Sequence, residues 1–371
     1  MPNGIARMDL RPCRSSGRGW WAGRAQGGSD QMQTRSEVPA GAAGTVRDAV
    51  RGAVEDAIQA PSVHNTQPWL FGVRGSRISL RADPERRLDV ADPQGREMLI
   101  SCGAALYNLR LSLRARGFEP VVRPLPDPDR PHLLADVYAE PDPEQADADT
   151  SRDHAQIARR RSHRGGFRDV PVPDGVLNAL RHEAEREGAR LVQAVDAHVK
   201  GALAALTDAA EHVQRRVPSY AAEIARWAPS PRTARRDGVQ QGSYPARTPR
   251  TEPNFAARDF ARGHGWGVEP AGDHGDALAG IVVLLVTAED TPGAWLRAGQ
   301  ALERVLLRAA EHDLAAAYHT QALQVPELRA FIRHHFCGDA HPQMLLRIGV
   351  PEGGDLTTVR RPVEDVLSEE T

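Results

Sequence analysis

The sequence has few of the features that mark secreted, membrane-spanning or nucleic-acid-binding proteins. Its three cysteines, Cys13, Cys102 and Cys337, are odd in number and form no CxxC pair, which argues against a disulfide framework and for a reducing, cytoplasmic compartment. The longest apolar run, 277–288, is broken by Gly280 and is far shorter than the roughly 20 residues of a membrane span. Aromatic residues make up only 5% of the 371 residues, and 47 basic and 49 acidic side chains leave a net charge of −2. We therefore expect neither nucleic acid nor a membrane as a partner.

The chain divides by composition into a tail and two similar segments. Residues 1–45 are rich in Gly, Ser and Arg and lack an apolar signal-peptide core, so we expect a disordered N-terminal tail. Helical spacing of apolar residues starts near Val46, and the first ordered segment covers 46–139. An acidic linker follows at 140–150, and 151–371 then repeats the same order of helices and strands.

The sequence predicts a long helix over 96–116 in the first segment and another over 295–313 in the second, and the two align without gaps. Gly103 matches Gly299, an offset of 196 residues, and neighbouring leucines match at the same offset. Two buried helices can also share such a pattern by chance. Val73 and Val195, at the ends of equivalent strands, are only 122 residues apart, so the second segment contains about 74 additional residues, within 196–279. The sequence predicts an α+β fold of two tandem half-repeats, the second with an insertion that could form a lid.

The string APSVHNTQPW at 60–69 combines two prolines with short polar side chains. Because proline fixes φ, the segment can form a rigid loop that presents Ser62, Asn65 and Gln67 toward a flat polar ligand. The alternative is a plain connection between a helix and a strand, with Trp69 in the core.

A second string, RRSHR at 160–164, places three arginines and a serine at the end of a predicted helix. Guanidinium groups match phosphate oxygens in charge and geometry, and the Ser162 hydroxyl can donate one more hydrogen bond. The alternative is a solvated helix end, since Lys200 is the only lysine and arginine is common throughout the chain.

A metal site is not predicted. The string HHFCGDAH contains possible zinc ligands, but Gly338 and Pro342 interrupt the helix that would present them, and no second ligand cluster is evident; the candidates are His334, His335, Cys337 and His341. No GxGxxG string follows a predicted strand, so a Rossmann nucleotide site is not indicated either.

Together with RRPVEDVL at 360–367, the strings at 60–69 and 160–164 resemble the nitroreductase family of FMN flavoproteins. The long insertion in the second half resembles the Acg-type subfamily. Each half carries only one of the two main strings, so the resemblance implies an intramolecular pseudo-dimer with one complete FMN site between the halves and one degenerate site. A single chain could then function as a monomer.

The resemblance also assigns roles to individual residues. Arg160, Ser162 and Arg361 would contact the FMN phosphate, and Arg164 would lie near flavin N1 and O2. The loop at 60–69 and the segment after the second long helix would surround the ring, through Pro61, Ser62, Asn65, Gln67, His319, Thr320 and Gln321.

The activity that the resemblance implies is FMN-dependent, NAD(P)H-linked reduction of a small aromatic acceptor, such as a nitroaromatic or quinone-like compound. Because the cofactor supplies the electron chemistry, no separate catalytic side chain is assigned. An insertion lying over the flavin would instead make the chain a non-catalytic FMN-binding or sequestering protein. A third possibility is a degenerate pseudo-dimer that serves only as an interaction module.

Overall fold

The structure is a computed structural model whose larger unit spans Ala40–Thr371. The expected tail at 1–45 lies outside the described residues as far as residue 39, and so does part of the expected linker at 140–150. Helices already begin at Ala40 and at Ala148, earlier than the predicted segment starts. The structure describes residues 40–142, 147–230, 232–245, 250–260, 267, 277–353 and 358–370.

The first half builds a sheet from four of its own strands and covers it with two helices. Its elements are α1 (Ala40–Ala57), β1 (Trp69–Arg74), β2 (Arg77–Ala82), α2 (Arg96–Ala115), β3 (Phe118–Pro124) and β4 (Leu133–Pro141). These strands pair antiparallel in the order β1-β2-β4-β3. Gly75, with a φ of 62°, allows the tight turn between β1 and β2.

The second half contains a four-stranded antiparallel sheet in the order β5-β8-β10-β9. Its central strands, β8 and β10, are nearly continuous apolar runs because both of their faces are buried. Among the described helices, none is long and apolar enough to cross a membrane. The elements are α3 (Ala148–Ile157), α4 (Asp174–Arg186), β5 (Arg190–Ala194), α5 (Ala197–Arg215), α6 (Pro218–Arg226), β6 (Thr251–Glu252), β7 (Ala277–Leu278), β8 (Ile281–Thr287), α7 (Pro292–Glu311), β9 (Ala315–Tyr318), α8 (Gln321–Gln324), α9 (Pro326–Phe336), β10 (His341–Gly349) and β11 (Leu367–Glu369).

Helices α2 and α7 pack against each other at the centre of the molecule. They cross at Gly103 and Gly299, the pair of glycines that the offset of 196 aligns. A Cβ atom on Gly103 would overlap the carbonyl oxygen of Leu296, and one on Gly299 would overlap that of Ile100. Equivalent glycines therefore meet at the contact between the halves. The α+β fold with two tandem halves is confirmed.

Strand β11 links the two halves at the other side of the first sheet. It pairs in parallel with β1, with Phe71 opposite Leu367. Beyond the strand, Glu370 accepts hydrogen bonds from Arg77 and Ser79 of β2. The end of the second half thus completes the sheet of the first half, so the halves are interlocked and not merely in contact.

The insertion at 196–279 begins with α5 and α6. The chain that follows folds around Trp227, which is buried, and forms a small apolar cluster with Tyr244 and Phe260. Leu88 and Ala91 of the first half belong to the same cluster. The insertion, which lies in the second half of the sequence, therefore packs on the first half and reaches the boundary between them.

Candidate functional site

A cavity of about 150 Å³ lies where the two halves and the insertion meet; we call it the central cavity. One wall is the loop at 60–69, and the other walls come from the N-terminal turns of α2, from the RRSHR string, from β9 and β10, and from the insertion. Six of the residues predicted from the sequence line this cavity together: Pro61, Ser62, Ser162, Arg164, His319 and Thr320.

The loop at 60–69 has an unusual backbone. His64, Asn65 and Gln67 have φ angles of 46°, 54° and 51°, in the left-handed region that non-glycine residues rarely adopt. The Ser62 hydroxyl accepts a hydrogen bond from the backbone amide of Gln67 at 3.0 Å, and the Ser101 hydroxyl accepts one from the backbone amide of Val63 at 3.1 Å. These bonds hold the loop in a strained shape and turn Ser62 to the cavity.

Asn65 and Gln67 do not line the central cavity, in contrast to the expectation that they face the ligand. The Asn65 amide donates to the carbonyls of Gly238 and Val359, and the Gln67 amide donates to the carbonyl of Arg236. Both side chains therefore fasten the loop to the insertion and to the segment before β11. The prolines and short polar side chains predicted a loop of defined shape, but they did not indicate which way the side chains of Asn65 and Gln67 point.

Beside the cavity, Arg160 and Arg360 form what we call the arginine cluster, together with Glu303. The Nη2 atoms of both arginines donate to the Gln59 carbonyl at 3.0 Å. Glu303 is fully buried, and its Oε1 lies 3.5 Å from Nε of Arg160. Within the described residues, Nε and Nη1 of Arg160 and Nε of Arg360 are buried without a hydrogen-bond partner. Glu303 lies within ion-pair distance of Arg160 and acts on Arg360 only through space, so the cluster retains a positive charge.

The pKa values of these groups reflect their burial. Burial, with a smaller effect of Arg160, lowers the pKa of Arg360 to about 9. Burial also lowers the pKa of Arg164 to about 10 and raises that of Glu303. The lowered pKa values of the two arginines mean that their charged forms lack enough compensating interactions, so this side of the site favours an added anion.

Arg361, predicted to contact a phosphate, turns away from the cluster. Its Nη2 donates to the carbonyl of Asp365 at 2.8 Å, and its backbone amide donates to Gln67. The neighbouring Arg360 occupies the place beside Arg160 that the sequence reasoning had given to Arg361. Arg360, the other arginine of the RRPVEDVL string, therefore belongs to the arginine cluster, and Arg361 does not.

Of the residues predicted after β9, only some face the central cavity. His319 lines the cavity, accepts a hydrogen bond from Nε of Arg347 at 2.8 Å and contacts the Ala256 carbonyl through Nδ1 at 3.2 Å. Burial, followed by the charge of Arg347, holds the pKa of His319 well below its usual value, so the ring is neutral at pH 7. Gln321 does not line the cavity; its amide donates to the same Ala256 carbonyl.

The insertion covers the central cavity and is fastened to the predicted site residues. Nη1 of Arg164 donates to the Ser243 carbonyl at 2.7 Å, and the Ala256 carbonyl binds the segment after β9. Five residues of the insertion line the cavity, and sequence reasoning named none of them: Tyr244, Pro245, Ala257, Arg258 and Phe260. Arg347 was also missed, although an arginine in the apolar string MLLRIGV is a recognisable signal.

The histidines of the HHFCGDAH string lie apart from the central cavity. His334 Nδ1 contacts Asp339 at 2.6 Å, and His341 faces Asp290 at 3.7 Å. Burial raises the pKa of Cys337 to about 12, which keeps its thiol protonated. In the described part of the chain, no group of His, Cys, Asp and Glu side chains is arranged to hold a metal ion.

Sequence comparison links the chain to proteins of Mycobacterium tuberculosis. It is 35% identical over 308 residues to a protein of strain H37Rv named "Putative NAD(P)H nitroreductase", covering 81% of this chain and 85% of that protein. It is 29% identical over 323 residues to "Putative NAD(P)H nitroreductase acg" of the same strain, covering 86% and 95%. No protein-family model matches the chain.

Two solved structures illustrate a more distant likeness. A nitroreductase with bound FMN from Bacteroides fragilis is 13% identical, with a TM-score of 0.35, and covers 57% of this chain and 94% of its own. A BluB-like flavoprotein from Clostridium difficile is 16% identical, with a TM-score of 0.37 and coverages of 57% and 95%. These scores are low, so the assignment depends on the sequence relatives. On their identity and coverage, the chain belongs to the nitroreductase family, in the group that includes the Acg protein.

Proposed function

We propose that the central cavity and the arginine cluster bind FMN, and that the protein is an FMN-dependent, NAD(P)H-linked reductase of nitroaromatic or quinone-like compounds. The observation that carries this proposal is the arginine cluster, in which two guanidiniums have one buried carboxylate beside them and three of their nitrogens have no hydrogen-bond partner among the described residues. A phosphate supplies both the negative charge and the acceptor oxygens that this cluster lacks.

The surroundings of the cluster suit the rest of the cofactor. Tyr318 lines the cavity; burial raises the pKa of its hydroxyl and the charge of Arg160 opposes the rise, so the cluster lies near this wall of the cavity. Ser162 offers a hydroxyl at this junction, and Arg164 offers a positive charge where the ring would lie. Bound FMN would supply two-electron chemistry between NAD(P)H and an acceptor. The chain's own residues would hold the phosphate, place charge beside the ring and exclude water.

A non-catalytic FMN-binding protein is the second candidate, and the insertion favours it. Hydrogen bonds from Arg164, His319 and Gln321 fasten the insertion over the cavity. The volume of about 150 Å³ is also below the roughly 300–1,000 Å³ that is usual for ligand pockets. A second flat molecule therefore requires the insertion to move.

The cofactor site can be tested with a matched pair of arginine variants. Purified protein is loaded with FMN, passed through a desalting column and scored by its flavin absorbance. We expect Arg360→Gln to weaken FMN retention at least tenfold, because it removes a charge from the cluster, and Arg361→Gln to retain FMN as the wild type does. Wild-type protein that takes up no FMN, or an Arg360→Gln variant that retains it fully, would contradict the proposal.

The choice between reductase and flavin store is tested by anaerobic addition of NADH or NADPH to the loaded protein. A reductase loses its yellow colour within seconds and regains it with a nitroaromatic acceptor. A store keeps its colour, and it becomes reducible when the cover is opened by the double variant Tyr244→Ala and Phe260→Ala. Val213→Ala, an exposed change in the same insertion, is the control.

A further inference from the structure

A second unpaired cation lies in the central cavity, on the side formed by the insertion. Arg258 lines the cavity and donates from Nη2 to the side-chain oxygen of Gln324 at 3.1 Å. Its Nη1 is buried and has no hydrogen-bond partner among the described residues, and no carboxylate there forms an ion pair with it. A buried guanidinium nitrogen without an acceptor is costly, so this atom is available to a ligand.

The acidic side chains whose charges act on Arg258 are Glu211 and Glu97. Glu97 also lines the cavity, but its Oε1 accepts from Arg96 and its Oε2 accepts from Gln324, both at 2.9 Å. Glu211 accepts a hydrogen bond from the backbone amide of Asp259 through Oε1, and its Oε2 is buried without a hydrogen-bond partner among the described residues. These carboxylates act on Arg258 only through space, and Gln324 stands between Glu97 and Arg258.

His64 contributes a second unsatisfied nitrogen to the same part of the cavity. Its Nε2 is buried without a partner in the described part of the chain, and its ring meets Phe260 edge to face at 5.4 Å. Burial, followed by the charges of Arg258 and Arg164, holds the pKa of His64 well below its usual value, so the ring is neutral at pH 7. The left-handed backbone at this residue is part of the strained loop described above.

We propose that Arg258 and His64, beside the rings of Tyr244 and Phe260, bind the anionic group of an aromatic electron acceptor, such as a ring-bound carboxylate. This inference rests on the proposed function, because it names the class of acceptor that is reduced. Arg258 and His64 are distinct from the arginine cluster. Arg258 donates a hydrogen bond to Gln324, whereas the arginines of the cluster donate to the carbonyls of Gln59 and Ala60. A neutral acceptor leaves the buried charge of Arg258 unpaired, so the site selects for anions.

The test compares two ligands of nearly equal shape, benzoate and benzamide, by calorimetry on the FMN-loaded protein. Neither ligand is reduced, so binding is measured whether or not the protein turns over. We expect benzoate to bind at least tenfold more tightly than benzamide, because only benzoate pairs with the guanidinium. Arg258→Gln should abolish this preference, and Arg258→Lys should restore part of it. Arg215→Gln, which removes a largely exposed arginine of the same insertion, should leave it unchanged.

Retention of FMN by the variants separates this inference from the proposed function. Arg258→Gln should retain FMN as the wild type does, whereas loss of FMN would place Arg258 in the cofactor site and overturn the acceptor site. Equal affinities for benzoate and benzamide in the wild type would overturn it as well. If the wild type takes up no FMN, the proposed function fails. The calorimetry is then run on the FMN-free protein. There, a preference for benzoate that depends on Arg258 still supports an anion site, and the absence of that preference overturns the anion site.

Discussion

Glu303 is the carboxylate of the arginine cluster; it is fully buried beside Arg160, and the charges of Arg160 and Arg360 both act on its pKa. Burial raises that pKa, while Arg160 and Arg360 oppose the rise. Because breaking a buried pair leaves its partner uncompensated, such a carboxylate balances the charge of the FMN-free protein. A bound phosphate would partly take over this role.

We predict that Glu303→Gln destabilises the FMN-free protein by about 3 kcal/mol at pH 8, because it leaves two cations without a counter-charge. FMN should stabilise this variant more than it stabilises the wild type. Thermal unfolding with and without FMN measures both effects. Glu185→Gln, an exposed substitution on α4, serves as the control. An unchanged unfolding temperature for Glu303→Gln would show that the carboxylate carries no charge in the fold.

Individual site residues were predictable from the sequence only in part. Prolines and an arginine-rich string identified the two segments that line the cavity. They did not give the direction of Asn65, Gln67 or Arg361, because that direction depends on partners far away in the sequence, such as Gly238 and Asp365. Arg258 could not be found at all, since its importance comes from the way the insertion folds over the first half.

At the scale of elements, the crossing of α2 and α7 depends on two glycines. We predict that Gly103→Ala or Gly299→Ala destabilises the protein by about 1–3 kcal/mol, because a Cβ atom there overlaps a carbonyl oxygen of the opposite helix. In an open helix position the same change stabilises, by up to about 1 kcal/mol. Gly201→Ala on α5, where a Cβ atom meets nothing within 4 Å, is the matched control. Urea unfolding should therefore show a lower free energy of unfolding for the two variants at the crossing and a higher one for Gly201→Ala.

The N-terminus of α2 provides a pH-dependent prediction. Asp92 accepts a hydrogen bond from the Met98 amide at 2.9 Å, and burial, followed by the charge of Glu97, raises its pKa to about 7. A raised pKa in the folded state means that the fold favours the protonated form. The resulting stability is complete below the unfolded pKa near 4 and is lost as the pH rises through about 7.

We therefore expect Asp92→Asn to flatten the pH dependence of stability between pH 5 and 8, because its side chain stays neutral and can still accept the bond from Met98. The slope removed is at most about 1.4 kcal/mol per pH unit. Urea unfolding at a series of pH values measures it. Asp89→Asn, at an exposed position in the same loop, should leave the slope in place. If the free energy of unfolding varied with pH in the same way for the wild type and Asp92→Asn, the raised pKa of Asp92 would be contradicted.

Elements with strong periodicity were predicted well from the sequence. The first long helix was expected at 96–116 and is found at Arg96–Ala115, and its counterpart was expected at 295–313 and is found at Pro292–Glu311. Short elements such as α8 and β6 were not predicted, because four-residue and two-residue segments carry too little periodicity. The pairing of β11 with β1 was also missed, since it depends on contacts across the whole chain.

At the scale of the whole molecule, the two halves are similar in fold but not in charge. The offset of 122 maps the loop at 60–69 onto the end of α4, where Glu183 and Glu187 lie. Glu183 pairs with Arg304, and Glu187 lies 2.9 Å from Arg110. The chain's own carboxylates thus neutralise the arginines at this position, which leaves no charge for a second phosphate.

We predict that each chain binds one FMN and that the protein is a monomer in solution. Titration followed by flavin absorbance should reach a ratio of one, because only one arginine cluster in the described structure lacks its counter-charge. Light scattering on the same sample should give the mass of one chain. A ratio of two FMN per chain would mean that a second FMN binds near Glu183. A stable dimer would mean that the two halves of one chain do not replace a partner subunit.

The pairing of β1 with β11 has a consequence for synthesis of the protein. Phe71 and Leu367 are almost 300 positions apart, and ribosomes add about 5–20 residues per second. The edge of β1 therefore stays unpaired for roughly 15–60 s during translation at that rate. Arg360 leaves the ribosome at nearly the same moment as β11, so the nascent first half completes its sheet and gains the second arginine of the cluster together, near the end of this interval.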